Sequence, residues 1–326
     1  MATAQADIHF SQFYETSTLR NPAMVGVFEG NYRVSVYDRN QWQTVANPYN
    51  TVLANIEYRI PVGKNSVDFL SFGLLGDFDK AGDLDQKITS FYPAINFNKS
   101  VSPRNNSYLS MGFTAGYVQY GFDPTKATFN NQFVGGTYSA TNPTFETIPN
   151  PSRNLFDIGA GLNFNTGGGD SRKPTLMIGA SGYHFTRPSF TYYHVNDRHE
   201  NMRWNINAGM ITDLSDQLAM QFHMNAGFQG PYSEVVAGGM LGWKRFATTP
   251  KDKFELYGGV FYRVQDAIIP VVKIKYKGMA LGFSYDVNVS SLHSASNAQG
   301  GYEITLSNSG NYPRNRDYKN TVCPRF

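Results

Sequence analysis

Along most of this chain, apolar residues alternate with polar residues or glycine for about ten positions, the pattern breaks, and then it resumes. Successive side chains of a strand point to opposite faces, so each run has one apolar and one polar face. In 279–289, Met279, Leu281, Phe283, Tyr285, Val287 and Val289 lie opposite Ala280, Gly282, Ser284, Asp286 and Asn288. In 217–228, Leu218, Met220, Phe222, Met224, Ala226 and Phe228 lie opposite Gln221, His223, Asn225 and Gly227. The pattern predicts fourteen strands, near 31–42, 50–61, 67–77, 86–100, 106–121, 153–166, 174–187, 200–213, 216–229, 233–246, 252–264, 267–276, 278–290 and 300–308. A soluble sandwich also alternates. Here the runs are long, and their polar faces carry Arg, Asn, Glu and Gln beside many glycines. That suits a sheet with lipid outside and a polar lumen inside.

The connections support closure. Those at 61–66, 101–105, 167–173, 214–215, 247–251 and 276–278 are compact and rich in turn-forming residues. The long ones, 122–152, 188–199 and 291–299, all fall in the alternate set, though that set also holds two short turns. Bacterial barrels keep short turns on the periplasmic side and long loops outside. The expected fold is therefore an all-β transmembrane antiparallel β-barrel of about 14 strands, with both termini periplasmic, in the outer membrane.

Composition sharpens this. Aromatics make up 15% and charged residues only 16%, against roughly a quarter charged in soluble domains. The 21 Tyr and 24 Phe suit aromatic girdles at two interfaces. Mean hydropathy is −0.39, and no run of about 18 apolar residues is present to cross a bilayer as a helix. A net charge of +3 with scattered basic residues gives no nucleic-acid footprint. The single cysteine, Cys323, excludes an internal disulfide. Ala2-Thr3-Ala4 reads either as the remnant of a signal-cleavage site or as an ordinary flexible start.

Candidate sites lie in the lumen, the long loops and the tail. Arg33, Arg39, Glu57, Arg59, Asp157, Arg203, Glu255, Arg263, Lys273, Lys275 and Asp286 fall on predicted polar faces. They either pair and block the lumen or line a pore. Loop 122–152 carries Phe129, Phe133, Tyr138 and Phe145, and loop 188–199 carries Tyr192 and Tyr193; these are candidate contacts of an external docking surface. The loop aromatics otherwise fold inward as a constriction or pack over the rim. In the tail, Arg314, Arg316, Tyr318, Arg325 and Phe326 form a candidate docking peptide for a periplasmic partner, or else a frayed end. His9, Phe10, Phe13 and Tyr14 precede the first strand and are expected to pack inside the lumen or beneath its periplasmic mouth, with a partner site as the alternative. His194, Asp197, His199 and Glu200 lack the metalloprotease spacing and read as a solvated loop. Ser110, Ser284, His184 and His223 carry no nucleophile-elbow motif. No enzyme activity, metal or cofactor is expected.

The chain resembles the PorP/SprF family of outer-membrane proteins, part of the type IX secretion and gliding systems of Bacteroidota. The resemblance rests on Gln5-Ala6-Asp7-Ile8-His9-Phe10-Ser11-Gln12-Phe13-Tyr14, Asn21-Pro22-Ala23, Gly26, Tyr32-Arg33 and Arg39-Asn40-Gln41-Trp42. It continues in Tyr285-Asp286-Val287-Asn288, Gly300-Gly301-Tyr302-Glu303-Ile304 and Cys323-Pro324-Arg325-Phe326. Ala6 departs from the family's direct Gln-Asp start. The resemblance implies a barrel that anchors a secreted type IX cargo, such as an adhesin bearing a C-terminal sorting domain, at the cell surface, with the aromatics of loops 122–152 and 188–199 as the candidate cargo contacts. It also implies docking of periplasmic or lipoprotein components. The organisation would be a lumen or periplasmic segment (5–30), a barrel in lipid (31–308) and a periplasmic tail (309–326). The alternative is a channel for solutes or hydrophobic molecules, because fourteen-stranded fatty-acid transporters have similar size and an N-terminal hatch.

Overall fold

The computed structural model describes residues 7–41, 48–63, 67–146, 148, 150–167, 173–189, 192, 199–245, 254–290 and 299–311. Fourteen strands close an antiparallel barrel. They are β1 (Tyr32–Gln41), β2 (Tyr49–Pro61), β3 (Phe69–Ala81), β4 (Gln86–Ser102), β5 (Ser107–Gly121), β8 (Ser152–Thr166), β9 (Thr175–Tyr183), β10 (Arg203–Asp213), β11 (Leu218–Gln229), β12 (Tyr232–Arg245), β13 (Phe254–Arg263), β14 (Ala267–Tyr276), β15 (Met279–Asn288) and β16 (Gln299–Gly310). A hairpin of β6 (Phe133–Val134) and β7 (Thr137–Tyr138) stands in the loop between β5 and β8. Each wall strand pairs with its neighbours along the chain, and β1 pairs with β16, so no sheet edge is left open. Among the described residues no helix is long and apolar enough to cross a membrane.

The two faces separate as the alternation requires. Phe222, Phe228, Leu281 and Phe283 point outward and are exposed, while Gln221, His223, Ser284 and Asp286 are buried within. Of the candidate lumen charges, Arg33, Arg39, Glu57, Arg59, Asp157, Glu255, Arg263, Lys273 and Asp286 are buried, and Arg203 and Lys275 are partly so.

Three boundaries differ from the sequence reading by more than two residues. Strand β3 continues through Asp77 and Asp79, because these charges sit on the lumen-facing positions and extend the alternation. Strand β9 stops at Tyr183 and β10 begins at Arg203. There His184 and Arg187 adopt positive φ, which turns the chain off the ladder.

Residues 7–30 run through the lumen. They contain a single helical turn, α1 (Ser17–Arg20), and a 3-10 turn at Pro22–Met24 whose N-cap Asn21 accepts from the Ala23 N–H at 2.9 Å. Ala23, Met24, Val25, Val27 and Phe28 are buried. Burying the Met, Val and Phe side chains among these is worth about 1.5–3 kcal/mol each. Asp7 meets His184 and Arg203 at the long-loop end of the barrel, whereas Asn31 bonds to Gly310 at the short-turn end. The termini themselves, 1–6 and 312–326, lie outside the described residues; Asp7 stands at the long-loop mouth and Gly310 at the short-turn mouth. The lead-in threads the barrel rather than lying beneath it.

Candidate functional site: a threaded lumen with two chambers

A segment without regular structure at membrane depth must have its backbone groups satisfied by protein. The wall supplies the partners. Asn96 Nδ2 donates to the carbonyls of Ala23 and Val25 at 2.9 and 2.7 Å. Ser181 Oγ donates to the Arg20 carbonyl, Tyr183 Oη to that of Thr18 and Tyr37 Oη to that of Glu15, at 2.7–2.8 Å. In return, Asn21 Nδ2 donates to the Leu162 carbonyl at 3.1 Å and to Asn207 Oδ1 at 3.0 Å. The wall thins where the segment crosses it. A Cβ on Gly112 would lie 2.3 Å from the Pro22 carbonyl, and one on Gly161 would lie 2.0 Å from Asn21 Oδ1. Only glycine permits these approaches.

Carboxylates hold the segment at three heights. Near the long-loop end, Glu303 accepts the Ser11 and Gln12 N–H groups at 2.6 and 2.8 Å. It also faces Arg39 Nε at 3.3 Å, directly across the β1–β16 seam. Asp286 accepts Ser11 Oγ at 2.6 Å and pairs with Arg263 at 3.0 Å. Deeper, Lys273 pairs with Glu15 of the segment. Toward the short-turn end, Glu57 gathers four donors: Ser17 Oγ, Arg33 Nη2, Asn55 Nδ2 and the Gly26 N–H. Aromatic packing adds to these. Phe13 meets Phe261 edge-on, and Tyr14 stacks against both His223 and Phe261 with centroids 5.0 Å from each. Sequence left open whether the lumen charges pair or line a pore. Most of them pair, many with the threaded segment itself.

At the top of the segment, His184 Nε2 lies 2.9 Å from Asp7 and its Nδ1 lies 3.0 Å from Asp157, while Arg203 also pairs with Asp7 at 3.0 Å. Burial opposes the His184 charge, but the Asp7, Asp157 and Glu200 carboxylates outweigh it and lift its pKa to about 11. His184 is therefore a cation in a network tying Asp7 to β8, β9 and β10. Glu200 joins Asp7 and His184 within 4.8 Å, not the loop histidine His199, whose Nδ1 faces the Arg187 carbonyl. His194 and Asp197 lie outside the described residues. Ser110 bonds to Asn98 and Ser284 to Gln12, and among the described residues neither has a histidine partner.

Among the described residues, two cavities that share no lining residue flank the segment. One of about 520 Å³ opens at the long-loop end between Gln41, Tyr49, Ala81 and Gln86. Another of about 760 Å³ opens at the short-turn end and carries Arg33, Lys244, Lys275 and Lys277 with Asp213 and Glu255.

The loop aromatics stand above the first cavity's end of the barrel. Gly135 and Gly136, both with positive φ, form the two-residue turn that joins β6 to β7. This displays Phe133 (55% exposed), Val134 (66%) and Tyr138 (42%), with Phe145 (82%) nearby in the same loop. Phe129 is half-buried, and Tyr192 packs edge-on against Phe122 with centroids 4.8 Å apart. Tyr193, Arg314, Arg316, Tyr318, Arg325 and Phe326 lie outside the described residues. Sequence missed the roles of Ser11, Gln12, Glu15 and Asn21. Their signal was a polar run with no alternation ahead of the first strand.

A closed fourteen-stranded sheet, apolar outside and filled with polar chain inside, defines an outer-membrane β-barrel. The chain belongs to the PorP/SprF family: the family of type IX secretion system membrane protein PorP/SprF matches residues 2–307. None of the curated proteins compared with it matches in sequence. Among solved structures it is similar to a FadL homologue from Pseudomonas aeruginosa, with a TM-score of 0.52 and 11% identity over 88% of this chain and 91% of that one. A deltaS2S3 mutant of TodX, a monoaromatic hydrocarbon channel, gives 0.51 and 8% identity over 89% and 92%. These likenesses establish the fold alone.

Proposed function

We propose that this barrel holds a secreted protein at the cell surface by receiving its C-terminal sorting domain at the long-loop end. Its short-turn end and C-terminal tail dock periplasmic or lipoprotein components of the secretion or gliding machinery. The orientation follows the usual rule of short turns in the periplasm and long loops outside. The observation that carries the reading is the threaded lumen. Residues 7–30 are bonded to the wall at three heights, which favours a scaffold that works through its two mouths over a conduit. The exposed Phe133, Tyr138 and Phe145 supply the aromatic contact area on which interfaces depend.

The test is purification from native cells of the full chain and of a variant lacking 125–146. The full chain should retain a secreted protein at fixed stoichiometry. The deletion should leave a folded barrel and release the cargo to the medium. Normal surface retention by the deletion variant would reject the loop assignment. Steady conductance of the intact protein in planar bilayers would favour the channel reading instead.

A further inference from the structure

Asp77 and Asp79 occupy successive lumen-facing positions of β3, in the wall of the 520 Å³ chamber. Asp77 is only 6% exposed. One of its oxygens accepts from Ser90 Oγ; the other, Oδ2, has no hydrogen-bond partner among the described residues. Asp79 accepts from Thr51 Oγ1. The cations that line the chamber are engaged elsewhere. Arg39 faces Glu303 and Asp286, Arg203 holds Asp7, and His184 lies between Asp7 and Asp157. Two carboxylates thus stand in a recess with no ion-pair partner among the described residues. That arrangement is costly unless something neutralises them.

The surroundings define what fits. Asp77 is registered with Ser90 and Asp79 with Ile88, and across the next pairing these meet Val118 and Tyr120. Leu75 and the Tyr92 ring complete this wall. An anionic pole beside aromatic and aliphatic faces suits a cation carried on an apolar body. The volume is that of an ordinary small-ligand site. Alternate residues of one strand are about 6.6 Å apart. That spacing suits a group with several N–H donors better than a bare ion.

We infer that the long-loop chamber binds an organic cation, a primary ammonium or guanidinium group on an apolar or aromatic stem, with Asp77 and Asp79 as its counter-ions. The cation comes either from a free amine or from a basic side chain of a peptide, and the chemistry is the same. The inference does not depend on the cargo reading.

Calorimetry on the full chain in detergent tests it with tyramine and its uncharged isostere 4-propylphenol. A second arm uses acetyl-Phe-Lys-Phe-amide and the same peptide with norleucine for lysine. The charged member of at least one pair should bind tenfold or more tightly than its neutral partner. Tighter binding of the lysine peptide than of tyramine assigns the site to a polypeptide, and the reverse assigns it to a free amine. The preference should vanish in D77N/D79N, whose unliganded melting temperature should equal or exceed that of the wild type because two like charges are removed. Equal binding of charged and neutral probes, no binding of any probe, or a preference that survives in D77N/D79N would overturn the inference.

Discussion

Glu57→Gln is the most informative single perturbation, because this carboxylate joins wall and threaded segment at one point. It is 0% exposed and accepts Ser17 Oγ at 2.6 Å, Arg33 Nη2 at 2.7 Å, Asn55 Nδ2 at 2.7 Å and the Gly26 N–H at 2.8 Å. Glutamine keeps one acceptor and turns an NH2 group toward donors. Arg33 then remains buried without its counter-ion. Hydrogen bonds to a charged group are worth about 1.5–3 kcal/mol each, but bonds sharing one acceptor are not additive. Breaking one side of a buried pair costs roughly 3–5 kcal/mol, and that is the expected loss. Most of it should appear as local release of the segment, since the backbone ladder of the wall is untouched. At 1.4 kcal/mol per factor of ten, amide-exchange protection across 15–28 should fall by roughly two to three and a half powers of ten. Protection in β3 to β5 should change little. Replacing both partners, as Glu57→Leu with Arg33→Met, should recover much of the loss, because no charge is left buried alone. Protection of 15–28 within threefold of wild type in Glu57→Gln would refute the anchoring role.

Gly112→Ala drives a methyl into the Pro22–Ala23 backbone and should cost about 1–3 kcal/mol of chemical stability, measured by denaturant titration in detergent. Met224→Arg sets a charge on the outward face of β11 at a cost of about 2–4 kcal/mol near mid-bilayer, and should lower the folded fraction recovered from outer membranes. Asn225→Arg should insert but loosen the segment, because Asn225 is registered with Asn207, the partner of Asn21. The Lys126 and Lys80 ammonium groups hold the Asp85 pKa at about 2, below the ordinary 3.8, and so tether loop 122–152 to the β3–β4 turn. A depressed folded value means the tether is fully present above about pH 4 and is lost as pH falls through about 2. Asp85→Asn at pH 7 should mimic acid and speed exchange at Lys126 and Ala127; unchanged exchange would show the tether to be idle.

The wall was readable in the sequence because a lipid-facing side and a polar side impose a period of two on every strand. Runs such as 279–289 carry that period without interruption. It failed where polarity had two explanations. Asp79 lay beyond the expected strand end at 77 and is strand, since a lumen tolerates charge where a soluble core does not. Pairings between Glu303 and Ser11, or Asn21 and Asn207, join residues far apart in the chain through an irregular segment, and no local period encodes them. The exposed loop aromatics were legible as residues but not as a patch. The hairpin that presents them depends on Gly135 and Gly136 both taking positive φ.

A wall closed around its own threaded chain also favours one order of events. Segment 7–30 is continuous with β1 at the short-turn end, while Asp7 sits at the opposite mouth. Drawing Tyr14 and Phe28 up a lumen already closed would strip and re-form the wall contacts along its whole length. Laying the segment along the inside of the sheet before β16 meets β1 avoids that passage. Glu303 lies on that last seam and faces Arg39 across it, with the Ser11 and Gln12 amides completing its shell. A barrel that shut empty would leave this carboxylate and Asp286 short of donors at the join itself. The seam thus closes best on a correctly filled lumen, and the final step of assembly inspects the first.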